Sequence, residues 1–171
     1  MIMKRCAIFF VCALLWTTWA QAQDSGPNLR QSIVYFMTFF NESTTQLSRI
    51  KEFLEQEKKD PKHPYTEAYL LYTDLSDRIE RSMTLSLDLC DLYFIYSRAT
   101  YCFAKEEKSY LLSRIDSISS VLQQLIDKPF AVATDSRTGD KAKMQDEKAA
   151  FLDRVQKLRA LLKSSLPAIE R

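Results

Sequence analysis

SIVYFMTFFNESTTQLSRIKEFLEQEKKDPKHPYTEAYLLY, residues 32–72, decides the fold. Ile33, Phe36, Met37, Phe40, Leu47, Ile50 and Leu54 recur at steps of three and four, the repeat of one helical face rather than the alternation of a strand. The stripe predicts a first helix over roughly residues 28–58, with Pro27 suited to its first turn. A charged run, Glu55 to Asp60, leads into Pro61-Lys62-His63-Pro64, where two prolines remove backbone donors and forbid helix continuation. The chain must therefore turn, and Thr66 is placed to cap a second helix.

That second helix runs to about Tyr96 through Tyr69, Leu71, Tyr72, Leu75, Ile79, Met83, Leu87 and the dense run Leu89 to Ile95. Asp74 with Arg78, and Asp77 with Arg81, are i,i+4 pairs expected on a solvated face. Met83 to Leu89 alternates as a strand would, but its flanks have helical period and no other segment could pair with such a strand. Phase is lost around Ser97 to Cys102. A third stripe, Leu111, Ile115, Ile118, Leu122 and Leu125, spans Lys105 to Asp127 and stops at Pro129. Residues 129–143 carry Thr, Asp, Ser and Gly139 without periodicity and read as the longest loop. Leu152, Val155, Leu158, Leu162 and Leu166 form the last stripe, closed by Pro167. Four helices of matched length joined mostly by short connections predict an all-α, antiparallel up-down four-helix bundle.

The N-terminus reads differently. Lys4 and Arg5 precede the apolar run CAIFFVCALLW, residues 6–16, and Ala20-Gln21-Ala22 follows as a small-x-small cleavage site. The run is shorter than the ~20 residues a membrane-spanning helix needs. Residues 1–22 are thus expected to be a cleaved signal peptide, leaving residues 23–171 as one domain in the periplasm or outside the cell, with no stable membrane anchor. Lys4 and Arg5 account for the whole formal charge of +2, so the mature chain has no electrostatic case for nucleic acid. Two of the four cysteines leave with the signal, and the remaining Cys90 and Cys102 are expected to form a disulfide, the usual state of a lone pair in an exported domain. On one continuous helix they would stand about 18 Å apart, too far to bond, so the crosslink requires the chain to reverse between them.

Chemistry is thinly represented. With only two glycines, Gly26 and Gly139, neither a dinucleotide fingerprint nor a phosphate loop can be built, and one histidine, His63, leaves no route to a histidine-rich metal site. No enzymatic activity, cofactor or metal is expected. Asp88 and Asp91, three apart, could share a proton or hold a cation, but more simply edge a wide core stripe. Tyr65, Tyr69 and Tyr72 form an aromatic ridge beside the Lys62-His63 turn and are the candidate partner-binding residues. Tyr93, Phe94, Tyr96, Tyr101 and Phe103 surround the cysteines and could instead line an apolar pocket. Asn41-Glu42-Ser43 is a formal glycosylation sequon. The expected function is binding to another protein, as an inhibitor, immunity-type or envelope-assembly factor, with carriage of an apolar small molecule in the bundle interior as the alternative.

Overall fold

The computed structural model describes residues 29–59, 66–99, 104–130 and 138–170. The signal segment 1–22, Pro27, Lys62, His63, Tyr65, Tyr101, Cys102 and Phe103 lie outside the described residues.

Four helices make the molecule: α1 (Leu29–Glu57), α2 (Glu67–Ala99), α3 (Lys105–Asp127) and α4 (Thr138–Glu170). There is no strand among the described residues. Thr66 caps α2 as expected, its Oγ1 accepting from the Tyr69 N–H at 3.2 Å while donating to Glu57 at 3.1 Å, which ties the start of α2 to the end of α1. At the start of α3 the Glu107 carboxylate reaches back to the Ala104 N–H at 2.8 Å.

Neighbouring helices alternate in direction. Phe36 meets Tyr93 edge to face at one end of the α1/α2 pair, ring centroids 4.9 Å apart, and Phe53 meets Tyr72 at 4.1 Å at the other. Arg159 of α4 donates to the Ser119 carbonyl of α3, and Phe130 meets Phe151 further along, so that pair is antiparallel too. α2 and α4 each touch all three other helices, whereas α1 and α3 do not meet among the described residues. The cross-section is a rhombus whose short diagonal is α2 to α4.

The α1 core does not follow the apolar stripe read from sequence. Its buried positions are Ser32, Phe36, Phe39, Ser43, Gln46, Leu47 and Ile50, while Met37 is 44% exposed and Phe40 only half-buried. Serines recur inside: Ser43 of α1 and Ser82 and Ser86 of α2 are fully buried, and the register set by the aromatic pairs brings them level with one another. Ser82 and Ser86 hydroxyls donate to the Ile79 and Met83 carbonyls, both at 2.8 Å, so they bring no unpaired donor into the interface. Small side chains at the crossing let the two backbones approach, and α1 on α2 is the most extensive helix contact in the bundle.

Three further expectations are corrected. α4 begins at Thr138, inside the stretch read as loop, because its buried stripe starts with Met144, Glu147 and Phe151 and a glutamate in that stripe hides it from hydrophobic periodicity. Pro167 does not close α4, which runs on to Glu170; a proline one turn from the end removes a single backbone bond. Finally, Arg78 is 3% exposed and belongs to the interior rather than to a wet face.

Candidate functional site

The tyrosine ridge divides. Tyr72 is 2% exposed and stacks on Phe53 within the stripe Leu71, Tyr72, Leu75 and Ile79, so its ring serves the core and not a binding surface. Tyr69, three residues earlier, is only half-buried. Tyr93 and Tyr96 are likewise core, Tyr93 sharing a hydrogen bond with Ser165 of α4, whereas Phe94 is 52% exposed. Cys90 is a buried free thiol whose pKa burial pushes up, with Asp91 adding to the rise. Because α2 is helical to Ala99, Cys90 stands about 14 Å from that end and on the opposite side of the helix. Asp88 is half-buried and Asp91 exposed, and no cluster of metal-ligating side chains occurs among the described residues.

Two polar constellations that periodicity does not reveal hold the bundle together. Arg78 of α2 pairs with Asp74 through two hydrogen bonds of 3.1 and 2.8 Å, and its other N–H groups donate to the carbonyls of Leu125 at 2.9 Å, Lys128 at 2.7 Å and Pro129 at 2.8 Å. Its guanidinium lies 3.8 Å from the centre of the Phe130 ring. One side chain thus satisfies the Leu125 carbonyl, which the end of α3 leaves without a helical partner, and two carbonyls just beyond it.

Between α1 and α4, Gln46 donates to the Glu147 side chain and backbone carbonyl, each at 2.7 Å, and Arg49 grips the same carboxylate at 3.0 and 3.2 Å. Burial pushes the Glu147 pKa up, but hydrogen bonds from Arg49 and Gln46 and the nearby Arg154 charge outweigh it, and the carboxyl titrates below its ordinary 4.5. Arg154 bonds the Gln46 amide oxygen, and burial lowers its own pKa. Beside this cluster lies an open cleft of about 380 Å³, lined by Tyr35, Phe39 and Glu42 from α1 and by Asp153, Arg154 and Lys157 from α4. Two acids and two bases at its walls, with Lys157 and Asp153 paired at 2.7 Å, make it unlike an apolar carrier site.

The outward face of the α1/α2 layer has the opposite character. From Gln31 to Ser48 the one charged residue of α1 is Glu42, and that residue faces the cleft. Val34 and Met37 are 59% and 44% exposed, and the α1/α2 register sets Val34 level with Phe94 of α2, 52% exposed, with Leu87, 39% exposed, more than a turn beyond Met37 and exposed Asp91 between the two α2 residues. The threonines of the face are turned inward on the helix: Thr44 and Thr45 hydroxyls donate to the carbonyls of Phe40 and Asn41 at 2.9 and 3.1 Å, and Ser48 donates to Thr44 at 3.0 Å. With their donors used, these residues offer mainly methyl and methylene groups. The face can lose its water without stranding a hydroxyl proton.

No protein family matches the chain. No curated protein is similar to it. No solved structure matches its fold.

Proposed function

We propose that the chain is an exported helical-bundle protein that works by binding another protein, in the manner of an inhibitor, immunity-type or envelope-assembly factor, and that the outward face of α1 and α2 is where it binds. One observation carries the reading: Val34, Met37, Leu87 and Phe94 are exposed apolar side chains on the outward side of the α1/α2 pair. There α1 from Gln31 to Ser48 has no charged residue but Glu42 and α2 contributes Asp91, at a place where a soluble surface ordinarily carries interspersed charges of both signs. A large apolar side chain held half out of a rigid helix needs little ordering on association, which is what makes such residues anchors. Half-buried Tyr69, near the start of α2, extends the candidate surface toward the opposite end of the layer.

The test is affinity capture from the envelope of the source cells, followed by measurement of Kd for the captured partner. The double variant Leu87→Glu, Phe94→Glu should bind at least tenfold more weakly while melting like the parent chain. An unchanged Kd places the binding surface elsewhere.

A further inference from the structure

We propose that the cleft between α1 and α4 binds a free α-amino acid with an apolar side chain, its carboxylate held by Arg154 and Lys157 and its ammonium by Glu42. The site is separate from the outward face of α1 and α2. Tyr35, Phe39 and Glu42 reach it from α1 at steps of four and three, one helical stripe, and Asp153, Arg154 and Lys157 reach it from the facing side of α4. Its volume of about 380 Å³ is at the small end of ligand sites and suits a molecule of amino-acid size.

Arg154 is the group the cleft leaves unfinished. A guanidinium has five N–H donors, but among the described residues Arg154 makes one hydrogen bond, to the Gln46 amide oxygen, and its Nε is buried without an acceptor. The Glu147 carboxylate that could have served it is taken by Arg49 and Gln46. Burial lowers the Arg154 pKa, and the charge that most opposes this is Glu42 on the other wall of the cleft. No hydrogen bond or ion pair joins the two among the described residues. A half-buried cation and an exposed carboxylate therefore face one another across open space, and a ligand that supplies an acceptor to the first and a donor to the second removes a desolvation cost the free protein carries.

Charge balance selects the ligand class. Arg154 and Lys157 against Glu42 and Asp153 sum to zero. A plain anion in the cleft meets two carboxylates and a plain cation meets two bases, whereas a compact zwitterion offers each wall the sign it lacks. Lys157 gives one N–H to Asp153 at 2.7 Å, which leaves two for a carboxylate. Burial raises the Tyr35 pKa more than Lys157 lowers it, so at neutral pH the phenol is a neutral hydrogen-bond donor beside these charges. Phe39, 2% exposed, forms an apolar floor against which an aliphatic side chain can lie.

The test is titration of the full chain with L-leucine, with isocaproate, which is leucine without its ammonium, and with isoamylamine, which is leucine without its carboxylate. Calorimetry should give leucine a Kd at least about tenfold below that of either analogue, since each lacks one charge-assisted contact. Amide shifts in the NMR spectrum should gather on the residues lining the cleft. Glu42→Gln should melt like the parent, weaken leucine about tenfold and tighten isocaproate, because the cleft then carries net positive charge. Lys157→Gln should likewise weaken leucine but tighten isoamylamine. A gain of affinity for one ion is a result that simple loss of structure does not produce. The proposal is overturned if none of the three binds up to about 10 mM, if leucine binds no tighter than its analogues, if the shifts fall elsewhere, or if the variants keep the parent's order of preference.

Discussion

Replacing Arg78 by methionine keeps most of the side-chain volume and removes everything polar. Five hydrogen bonds go with it: two to Asp74 and three to the carbonyls of Leu125, Lys128 and Pro129. The Leu125 carbonyl lies in a buried contact, and Asp74, its side chain only 23% exposed, keeps a charge with no counterpart. Breaking a buried, hydrogen-bonded charge in this way costs about 3–5 kcal/mol, whereas two exposed charges at the same i,i+4 spacing would contribute less than about 1 kcal/mol. For a domain of this size the larger figure corresponds to a fall in Tm of about 10–15 °C. Far-UV circular dichroism during thermal and urea unfolding reads it directly. Arg78→Lys should lie between parent and methionine variant, since an ammonium can reach one or two of the acceptors but cannot fork across the end of α3. Asp74→Asn in the Arg78→Met background should recover part of the loss by removing the stranded charge. A methionine variant within 1 kcal/mol of the parent would show that Arg78 behaves as a surface residue, and equal losses for Lys and Met would assign the effect to packing around Phe130 instead of the fork.

Three other outcomes are expected. Glu147 has a depressed folded pKa, so its contribution to stability is present above the unfolded value near 4.5 and is lost as pH falls through the folded one; Glu147→Gln should flatten the acid limb of the stability curve, and a variant with the parent's pH profile would contradict this. If Cys90 and Cys102 are bonded in the exported protein, no thiol should label in unreduced, unfolded chain; two reactive thiols before reduction would rule the crosslink out. Secreted material should have a mass beginning at Gln23 and lack indole emission, since both tryptophans, Trp16 and Trp19, precede the cleavage site, and a retained Trp signal would exclude cleavage there.

Sequence periodicity was sufficient where the core is purely apolar. α3 is the clear case: Leu111, Ile115, Ile118, Leu122 and Leu125 are all buried, and the helix ends two residues before Pro129. It failed where polar side chains are inside. Gln46 is fully buried because its partner Glu147 lies on α4, 101 residues away in the chain, and no local pattern can announce such a partner. Once Ser43 and Gln46 are inside, the face of α1 rotates, and Met37, counted with the core by its spacing, emerges on the surface. Asp74 and Arg78 illustrate a second limit, since i,i+4 spacing is identical for a wet pair and a buried one. Tyr69 and Tyr72 differ by three residues and so sit near one another on the helix, yet only the second points at Phe53. The charge-free run from Gln31 to Ser48 was visible in the sequence, but its meaning depended on knowing which of its apolar residues the core had left outside.

Among the described residues α1 and α3 do not touch, so the ring of four helices is braced across one diagonal only, α2 to α4. α2 and α4 form a spine that both outer helices lean on, and either outer helix can leave without uncovering the other. Amide protons should therefore exchange in tiers. α3, which touches only α2 and α4 among the described residues, should open as a unit at lower free energy than the α1/α2 pair, whose contact is the most extensive in the bundle, and its opening requires the Arg78 fork at its end to let go. Partial opening of this kind would present the inner side of α3, with Ile115, Ile118 and Leu122, which gives the molecule a second surface that its closed form conceals.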